Sequence, residues 1–280
     1  MRNLTKKINR EFDLYIFDMD GVIYSGSKVI DGAKETLDFL KRKQKKIAFF
    51  TNNSTSTPLN FVKKMKEMGI SVEEDQIVTS STVSADYLKT KYFGSNNKVF
   101  IIGEFGLEEI LRNEGFSILN NKYTFDEIIT SNIKTDFVIA GLDRNFTYKK
   151  LAAATQLIAR GASFYATNND ATLPDIHGLL PGAGSTLSAI ITATGKNPEI
   201  IFGKPSPEGA YNILNRFHIN TKKTIMIGDR PDTDIMCAKN AGITSALVLT
   251  GVISESQIIN IASDILPDYI LKDTRGLIYD

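Results

Sequence analysis

The chain has 280 residues, which suits one large or two modest domains, and its 42% hydrophobic and 23% charged residues are typical of globular proteins. Its 33 basic and 32 acidic residues give a net charge of +1, so no broad basic field is available for a nucleic-acid polymer or an anionic membrane surface. The single cysteine, Cys237, cannot form an internal disulfide. With no secretory signal and no run of about 20 apolar residues, we expect a cytoplasmic protein.

The first third of the chain alternates short apolar runs with helical patterns. We predict strands at LYIFD (14–18) and KIAFFTNNS (46–54, ending in a polar turn), and helices at 31–43, 57–69 and 81–92. This β-α-β-α order predicts a parallel sheet with helices on both faces.

The pattern restarts near Gly94, as expected of a second domain. Strands are predicted at KVFIIG (98–103), TDFVIAGLD (135–143) and SFYATN (163–168), with helices at 105–115 and 148–162. The polar, glycine-containing segments GSNN and GKNP flank this part of the chain, as linkers often do. We therefore predict an α/β domain over residues 94–198.

The last part of the chain carries four more short apolar runs, EIIFGKP (199–205), KTIMIGD (223–229), SALVLTG (245–251) and PDYILKD (267–273), with helices at 207–217 and 232–242. We expect these strands to continue the first sheet. The fold class is then α/β, with a doubly wound, Rossmann-like parallel-sheet core over 1–93 and 199–280. The domain over 94–198 is inserted into that core.

Two acids follow the first strand, where an open parallel sheet binds its ligands. Asp18 and Asp20 are two positions apart, and side chains at that spacing in an extended segment point the same way. Two carboxylates held together repel each other and need a cation or a shared proton; Mg²⁺, which prefers oxygen ligands, would relieve the repulsion. The alternative is an ordinary solvent-exposed Asp turn.

Two further strand ends carry groups that suit a phosphate. Thr51 offers a hydroxyl, and the backbone N–H groups of Asn52 and Asn53 are potential donors to phosphate oxygens. Lys204 follows another apolar run, and its ammonium group is suited to neutralising a phosphoryl group. The alternatives are an Asn-rich turn and a solvated surface lysine.

The fourth polar strand end is GDRPDTD, residues 228–234, which contains Asp229, Asp232 and Asp234. Acids at a helix N-terminus are a common alternative explanation. A calcium loop counted from Asp229 fails, because its twelfth position is Asn240 rather than Glu. A carboxylate nucleophile, a hydroxyl, a lysine and a metal-binding acid together are the parts of phosphoryl transfer through an aspartyl-phosphate.

These four motifs resemble those of the haloacid dehalogenase superfamily of phosphohydrolases. DMDGVIY, TNNS, GKPSP and GDRPDTDI are similar to the versions found in its class IIA, NagD-like subfamily, which includes para-nitrophenyl phosphatases and pyridoxal phosphatase. The inserted domain matches that subfamily's C2-type cap in position and size.

The resemblance implies a role for each core residue. Asp18 would be the nucleophile, and Asp20 would protonate the leaving alkoxide and then activate water. Thr51 and the backbone of Asn52 would hold phosphoryl oxygens, and Lys204 would neutralise Asp18 and the phosphate.

The resemblance also implies a bound Mg²⁺. Its protein ligands would be the Asp18 carboxylate, the Asp20 backbone carbonyl and Asp229, and Asp234 would orient the metal or Lys204.

The cap segment 166–184 is polar and starts at a strand end. We expect Asn168 and Asp170 to contact either the substrate or the core loop, although a loop held by Asx-turns is equally compatible. His177 is a weaker candidate for substrate contact. A homodimer through the cap is a further expectation from the resemblance.

The expected function is a Mg²⁺-dependent phosphomonoesterase of small phosphorylated metabolites. Nucleoside monophosphates, sugar phosphates, phosphoglycolate and para-nitrophenyl phosphate are compatible substrates. The alternatives are a phosphomutase or phosphotransferase that uses the same intermediate, and an inactive binding protein of the same fold.

Overall fold

The computed structural model describes residues 8, 10–94, 97–175 and 178–278. The strands are β1 Leu14–Phe17, β2 Tyr24–Ser25, β3 Lys28–Val29, β4 Lys46–Thr51, β5 Ile77–Thr79, β6 Lys98–Ile102, β7 Ser117–Ile118, β8 Phe137–Ala140, β9 Ser163–Ala166, β10 Thr172–Asp175, β11 Gly178–Pro181, β12 Ile200–Ile201, β13 Thr224–Gly228, β14 Thr244–Val248 and β15 Tyr269–Leu271. The helices are α1 Ala33–Arg42, α2 Pro58–Glu67, α3 Ser80–Lys91, α4 Phe105–Asn113, α5 Phe125–Thr130, α6 Tyr148–Ala159, α7 Ala183–Thr194, α8 Glu208–Phe217 and α9 Met236–Ala241.

The chain divides into two compact units. The first consists of Met1–Thr51, Pro58–Val78 and Lys204–Asp280, and the second of Asn52–Thr57 and Thr79–Gly203. Within the described ranges, no helix has the length and the apolar character needed to cross a bilayer.

The first unit contains a six-stranded sheet in the order β15-β14-β13-β1-β4-β5. The β1/β4, β1/β13, β13/β14 and β14/β15 pairs are parallel. All four residues of β1 are buried, as expected of a central strand covered on both faces. The predicted parallel sheet is confirmed.

The two faces of this sheet pack against different helices. Tyr15 and Phe17 belong to a core cluster that includes Leu37 of α1 and Phe61 of α2. Side chains alternate along a strand, so Phe50 of β4 points to the opposite face from Phe49, and its ring contacts Gly209 of α8. Helices therefore pack on both faces of the sheet at β4.

The second unit has a five-stranded sheet in the order β12-β9-β8-β6-β7, with every pair parallel. Its core combines sheet residues such as Phe100 and Val138 with Leu157 of α6 and Leu187 of α7. Strands β10 and β11 form a separate antiparallel hairpin, where the sequence indicated only a polar loop. The predicted α/β character of this part of the chain is confirmed.

One predicted strand joins a different sheet. The run EIIFGKP was expected to continue the first sheet, but Ile200 and Ile201 pair with Tyr165 and Ala166 of β9 in the second unit, so that expectation is wrong. The second unit also takes in α3, whereas the sequence placed the inserted domain at 94–198. Those boundaries stay a prediction.

Gly209 offers a test of the packing on β4. A Cβ atom at this position would overlap the ring of Phe50, which is fully buried. Gly209→Ala should therefore lower the free energy of unfolding by about 1–3 kcal/mol, although alanine is the better helix former. Urea denaturation measures the loss. The double variant Gly209→Ala/Phe50→Leu should recover part of it, and an unchanged midpoint in the single variant would contradict this packing.

Candidate active site

The candidate site lies at the carboxyl ends of β1, β4 and β13. After β1 the chain adds β4 on one side, and β13 later pairs on the other side, so the strand order reverses at β1. Phe17 is in register with Ile227 and Phe49, and the Asp18 N–H continues the ladder by donating to the Ile227 carbonyl at 2.8 Å. Residues that follow these three strands are therefore neighbours at the position where doubly wound sheets bind ligands.

Lys204 is the centre of the site. Its Nζ lies 2.5 Å from Asp18 Oδ1 and 2.6 Å from Asp234 Oδ1, and it donates to the Phe50 carbonyl at 3.1 Å. The side chain is only 3% exposed. Burial opposes its charge, but the two carboxylates outweigh that effect and raise its pKa, so the ammonium stays protonated. The interpretation of Lys204 as a solvated surface lysine is therefore wrong.

The acids around Lys204 outnumber it. Burial raises the pKa of Asp18 well above its ordinary value, and repulsion from Asp234 and Asp229 adds to this, while Lys204 lowers it. Burial and repulsion from Asp234 raise the pKa of Asp229 to about 6, opposed by the Val252 N–H, which donates to Asp229 Oδ2 at 2.8 Å. The single ammonium group of Lys204 is thus outnumbered by three carboxylates.

This cluster fits a divalent cation. Carboxylate oxygens of Asp18, Asp229 and Asp234 all lie within 4.8 Å of one another. Asp234 is engaged otherwise, because Oδ1 binds Lys204 and Oδ2 accepts the Arg230 N–H at 3.0 Å. Asp18 and Asp229 are therefore the carboxylates best placed as ligands, and hard oxygen donors suit Mg²⁺.

Two glycines make room for Asp229. Gly21 has φ of +82°, a left-handed conformation that favours glycine, and a Cβ atom there would approach Asp229 Oδ2 at 2.5 Å. A Cβ atom on Gly251 would overlap the same oxygen. The Thr250 hydroxyl donates to the Gly21 carbonyl at 2.6 Å and joins the two glycine segments. Together these residues form a close-fitting cradle around the carboxylate.

Asp20 is placed differently from the clustered acids. Its side chain is exposed, and its carboxylate is not one of the three that come together. Partial burial of the carboxyl group still raises its pKa, opposed by Lys64 and a backbone hydrogen bond from Gly26. A carboxyl group with a raised pKa at an accessible position is suited to moving protons.

The segment after β4 carries the next predicted residues. Thr51 is buried at the end of the strand. The Asn53 side chain forms an Asx-turn, in which Oδ1 accepts the Thr55 N–H at 2.9 Å and its hydroxyl at 2.8 Å. The side chain of Asn53 therefore shapes the turn, and its backbone role stays a prediction.

Asn168 and Asp170 both contact Asn52. Buried Asn168 donates through Nδ2 to the Asn52 carbonyl at 2.9 Å, and Asn52 Nδ2 donates to Asp170 Oδ2 at 3.1 Å. Of the two contacts weighed for these residues, the structure therefore has the one to the loop, and a direct substrate contact stays a prediction. His177 lies outside the described residues.

Sequence reasoning missed several supporting groups. The backbone N–H groups of Arg230 and Val252 and the glycines at 21 and 251 all contact the acids, but none was predicted. One indication was present, because the run SALVLTG ends in Thr-Gly at the same edge of the predicted sheet.

Removing the Lys204 charge tests the electrostatic balance of the metal-free protein. Lys204 lowers the pKa of Asp18 and Asp229, so both should rise further in Lys204→Met. An acid whose pKa is higher in the folded protein than in the unfolded chain lowers stability only at pH values above its pKa in the unfolded chain. The loss should therefore grow with pH and reach about 3–5 kcal/mol at pH 8.

Urea denaturation at pH 5 and pH 8 in EDTA measures this loss. Lys223→Met is the matched control, because Lys223 is exposed and its Nζ lies 3.8 Å from Asp13, so it should cost less than about 1 kcal/mol. A Lys204→Met loss that is equal at both pH values would contradict the electrostatic explanation.

Comparisons with known proteins agree with the motifs. Residues 15–117 match the family of haloacid dehalogenase-like hydrolases, and residues 201–277 match the related HAD-hydrolase-like family. An acid sugar phosphatase from Staphylococcus epidermidis is 36% identical over 264 residues, which cover 94% of this chain and 96% of the relative.

Solved structures give the same assignment. A p-nitrophenyl phosphatase from Archaeoglobus fulgidus has a TM-score of 0.86 at 29% identity, with 96% of this chain and 98% of that one covered. A glycerol phosphate phosphatase from Mycobacterium tuberculosis, in complex with magnesium, has a TM-score of 0.83 at 31% identity, with 99% and 79% covered. A putative nagD protein also has a TM-score of 0.83 at 34% identity, with 96% of this chain and 99% of that one covered. The chain belongs to the haloacid dehalogenase-like hydrolases and, within them, to the NagD-like phosphatases.

Proposed function

We propose that the chain is a Mg²⁺-dependent phosphomonoesterase that hydrolyses small phosphorylated metabolites through an aspartyl-phosphate. The observation that carries this proposal is the buried Lys204 ammonium between Asp18 and Asp234, with Asp229 in the same acidic cluster. A carboxylate nucleophile needs its charge balanced before a phosphate dianion can approach it, and this arrangement supplies part of that balance.

In the first step, a carboxylate oxygen of Asp18 attacks phosphorus, and the bond from phosphorus to the leaving oxygen breaks. Asp20, whose pKa is raised, donates its proton to that oxygen. Lys204 holds Asp18 Oδ1 at 2.5 Å, which orients the carboxylate and balances charge on the phosphoryl group. The product alcohol then leaves.

In the second step, the Asp20 carboxylate accepts a proton from water while the water oxygen attacks phosphorus. The bond between phosphorus and Asp18 breaks, which releases inorganic phosphate and restores the Asp18 carboxylate. The Thr51 hydroxyl and the backbone N–H groups of Asn52 and Asn53 hold the phosphoryl oxygens through both steps.

The Asp18 carboxylate, the Asp20 backbone carbonyl and Asp229 would hold the Mg²⁺ ion. When bound, Mg²⁺ supplies positive charge next to the transferring phosphoryl group. Asp234 keeps Lys204 in place rather than binding the metal, because both of its oxygens accept hydrogen bonds from protein groups.

The proposed substrates are phosphomonoesters of small alcohols. The relatives named above act on sugar phosphates, p-nitrophenyl phosphate and glycerol phosphate, as their names state. Asp18, Thr51 and Lys204 are proposed to contact the phosphoryl group rather than the leaving group, which supports activity on several leaving groups. Nucleoside monophosphates and phosphoglycolate complete the proposed range.

Asp18→Asn tests the nucleophile. A neutral amide cannot attack phosphorus, so release of inorganic phosphate from p-nitrophenyl phosphate and sugar phosphates should fall by several orders of magnitude. Asp232→Asn is the matched control, because Asp232 is an exposed acid of the GDRPDTD motif and forms an ion pair with Arg230. Its rate should stay within about twofold. Turnover at the wild-type rate in Asp18→Asn, with mass spectrometry excluding deamidation, would overturn the mechanism.

The metal requirement is tested with EDTA and with Gly251→Ala. EDTA should abolish phosphate release, and added Mg²⁺ should restore it. A methyl group at position 251 would displace the Asp229 carboxylate, so the Mg²⁺ concentration for half-maximal activity should rise by about 10- to 100-fold.

Val252→Ala is the control for this variant, because it leaves the N–H group on Asp229 in place. Its Mg²⁺ dependence should match that of the wild type. Full activity in EDTA, or the same Mg²⁺ dependence in Gly251→Ala, would contradict the proposed metal site.

A further inference from the structure

The Asn52 carbonyl is held by two side chains of the second unit. The Ser80 hydroxyl donates to it at 2.7 Å, and Asn168 Nδ2 donates at 2.9 Å. Both donors are buried, with Ser80 at 0% and Asn168 at 4% exposed. A carbonyl oxygen has two lone pairs, so two donors fill its usual capacity.

Two later carbonyls of the same loop, those of Ser54 and Thr55, also accept hydrogen bonds from the second unit. Ser81 Oγ donates to the Ser54 carbonyl at 3.1 Å, and the Gly106 N–H donates to the Thr55 carbonyl at 3.0 Å. A Cβ atom on Gly106 would overlap the backbone of Ser56, so the approach is close. We call the donors Ser80, Ser81, Asn168 and Gly106 the loop clamp.

The first turn of α3, which presents two of these donors, is itself fixed. Thr79 caps the helix by accepting the Thr82 N–H at 3.2 Å, and Thr82 Oγ1 accepts the Thr79 N–H at 3.0 Å. This reciprocal capping box orients the start of the helix. Ser80 therefore meets the Asn52 carbonyl from a rigid position.

A fixed carbonyl also fixes the amide of the next residue. A peptide unit is planar and trans, so the Asn53 N–H points opposite to the Asn52 carbonyl. Hydrogen bonds accepted by a carbonyl also polarise its peptide and strengthen the N–H as a donor. Both effects act on one of the two N–H groups assigned above to the phosphoryl oxygens.

We propose that Ser80 and Asn168 are positioning residues for phosphoryl binding. They hold the Asn52–Asn53 peptide so that its N–H donates to an oxygen of the phosphomonoester dianion. This inference rests on the proposed function and deepens it. Because the phosphoryl group is common to all substrates, the contribution of Ser80 and Asn168 to substrate binding is independent of the leaving group.

Ser80→Ala is the principal test, with Ser84→Ala as its matched control. Ser84 is also fully buried on α3, but its hydroxyl bonds within the helix, to the Ser80 carbonyl at 2.6 Å. The measurements are kcat/KM for p-nitrophenyl phosphate and for a sugar phosphate, and the inhibition constant of inorganic phosphate. Calorimetric titration of the Mg²⁺-loaded protein with orthovanadate gives a binding readout that needs no turnover.

Ser80→Ala should lower kcat/KM by about 10-fold or more, to the same extent for both substrates, and should weaken phosphate and vanadate binding. The effect stays below the roughly 100- to 1,000-fold that follows outright removal of such a donor. Ser84→Ala should stay within about twofold on every readout. Asn168→Ala is a second variant with the same expected pattern, and it serves if Ser80→Ala does not fold.

Three outcomes would overturn the inference. Wild-type constants in Ser80→Ala and Asn168→Ala, with an active wild type, would show that these two residues have no role in phosphoryl binding. A loss that differs between the two substrates would place these residues on the leaving group instead. A wild type that neither binds vanadate nor releases phosphate would remove the proposed function and the inference together.

Discussion

The whole site depends on one buried ammonium group. Lys204 is 186 positions from Asp18 along the chain, yet its Nζ lies 2.5 Å from that carboxylate and 2.6 Å from Asp234. A buried charge is tolerated only with good partners, so the strand bearing Asp18, the turn bearing Asp234 and the segment bearing Lys204 must come together. The parallel sheet makes this possible, because β1 and β13 end at the same edge and in register. Gly21 and Gly251 lie so close to the Asp229 carboxylate that a side chain at either position would overlap it.

The charge balance of this cluster also explains why it suits phosphoryl transfer. Three carboxylates face one ammonium group, so full ionisation of the acids leaves two negative charges without a partner. Burial is the largest cause of the raised pKa of Asp18 and of Asp229, and repulsion from the neighbouring carboxylates adds to it. A divalent cation would restore neutrality and let Asp18 act as a carboxylate at neutral pH. Under the proposed function, affinity for the metal and reactivity of Asp18 would therefore share one electrostatic origin.

The sequence alone predicted those features that follow from local pattern. Asp18, Thr51 and Asp229 each end or follow a strand of the first unit's sheet, and the ends of parallel strands share an edge, so their convergence could be inferred. The position of Lys204 beside Asp18 could not be inferred in this way, because the apolar run before Lys204 pairs with β9 in the other sheet. The support of Asp229 by Val252 could not, because it depends on the alignment of β13 with β14 rather than on either segment. The strand at Ile200–Ile201 was assigned to the wrong sheet for a related reason. So short an apolar run carries no information about which strand it pairs with, and the pairing with β9 is decided by tertiary packing.

The boundary between the two compact units adds a last constraint, because it falls within the phosphate motif itself. Thr51 ends a strand of the first unit, and the next residue, Asn52, belongs by its packing to the second. Thr51, whose hydroxyl is proposed to bind a phosphoryl oxygen, is therefore bonded directly to Asn52, whose carbonyl accepts hydrogen bonds from Ser80 and Asn168. Under the proposed function, Ser80 and Asn168 therefore influence phosphoryl binding through this carbonyl, without contacting the leaving group.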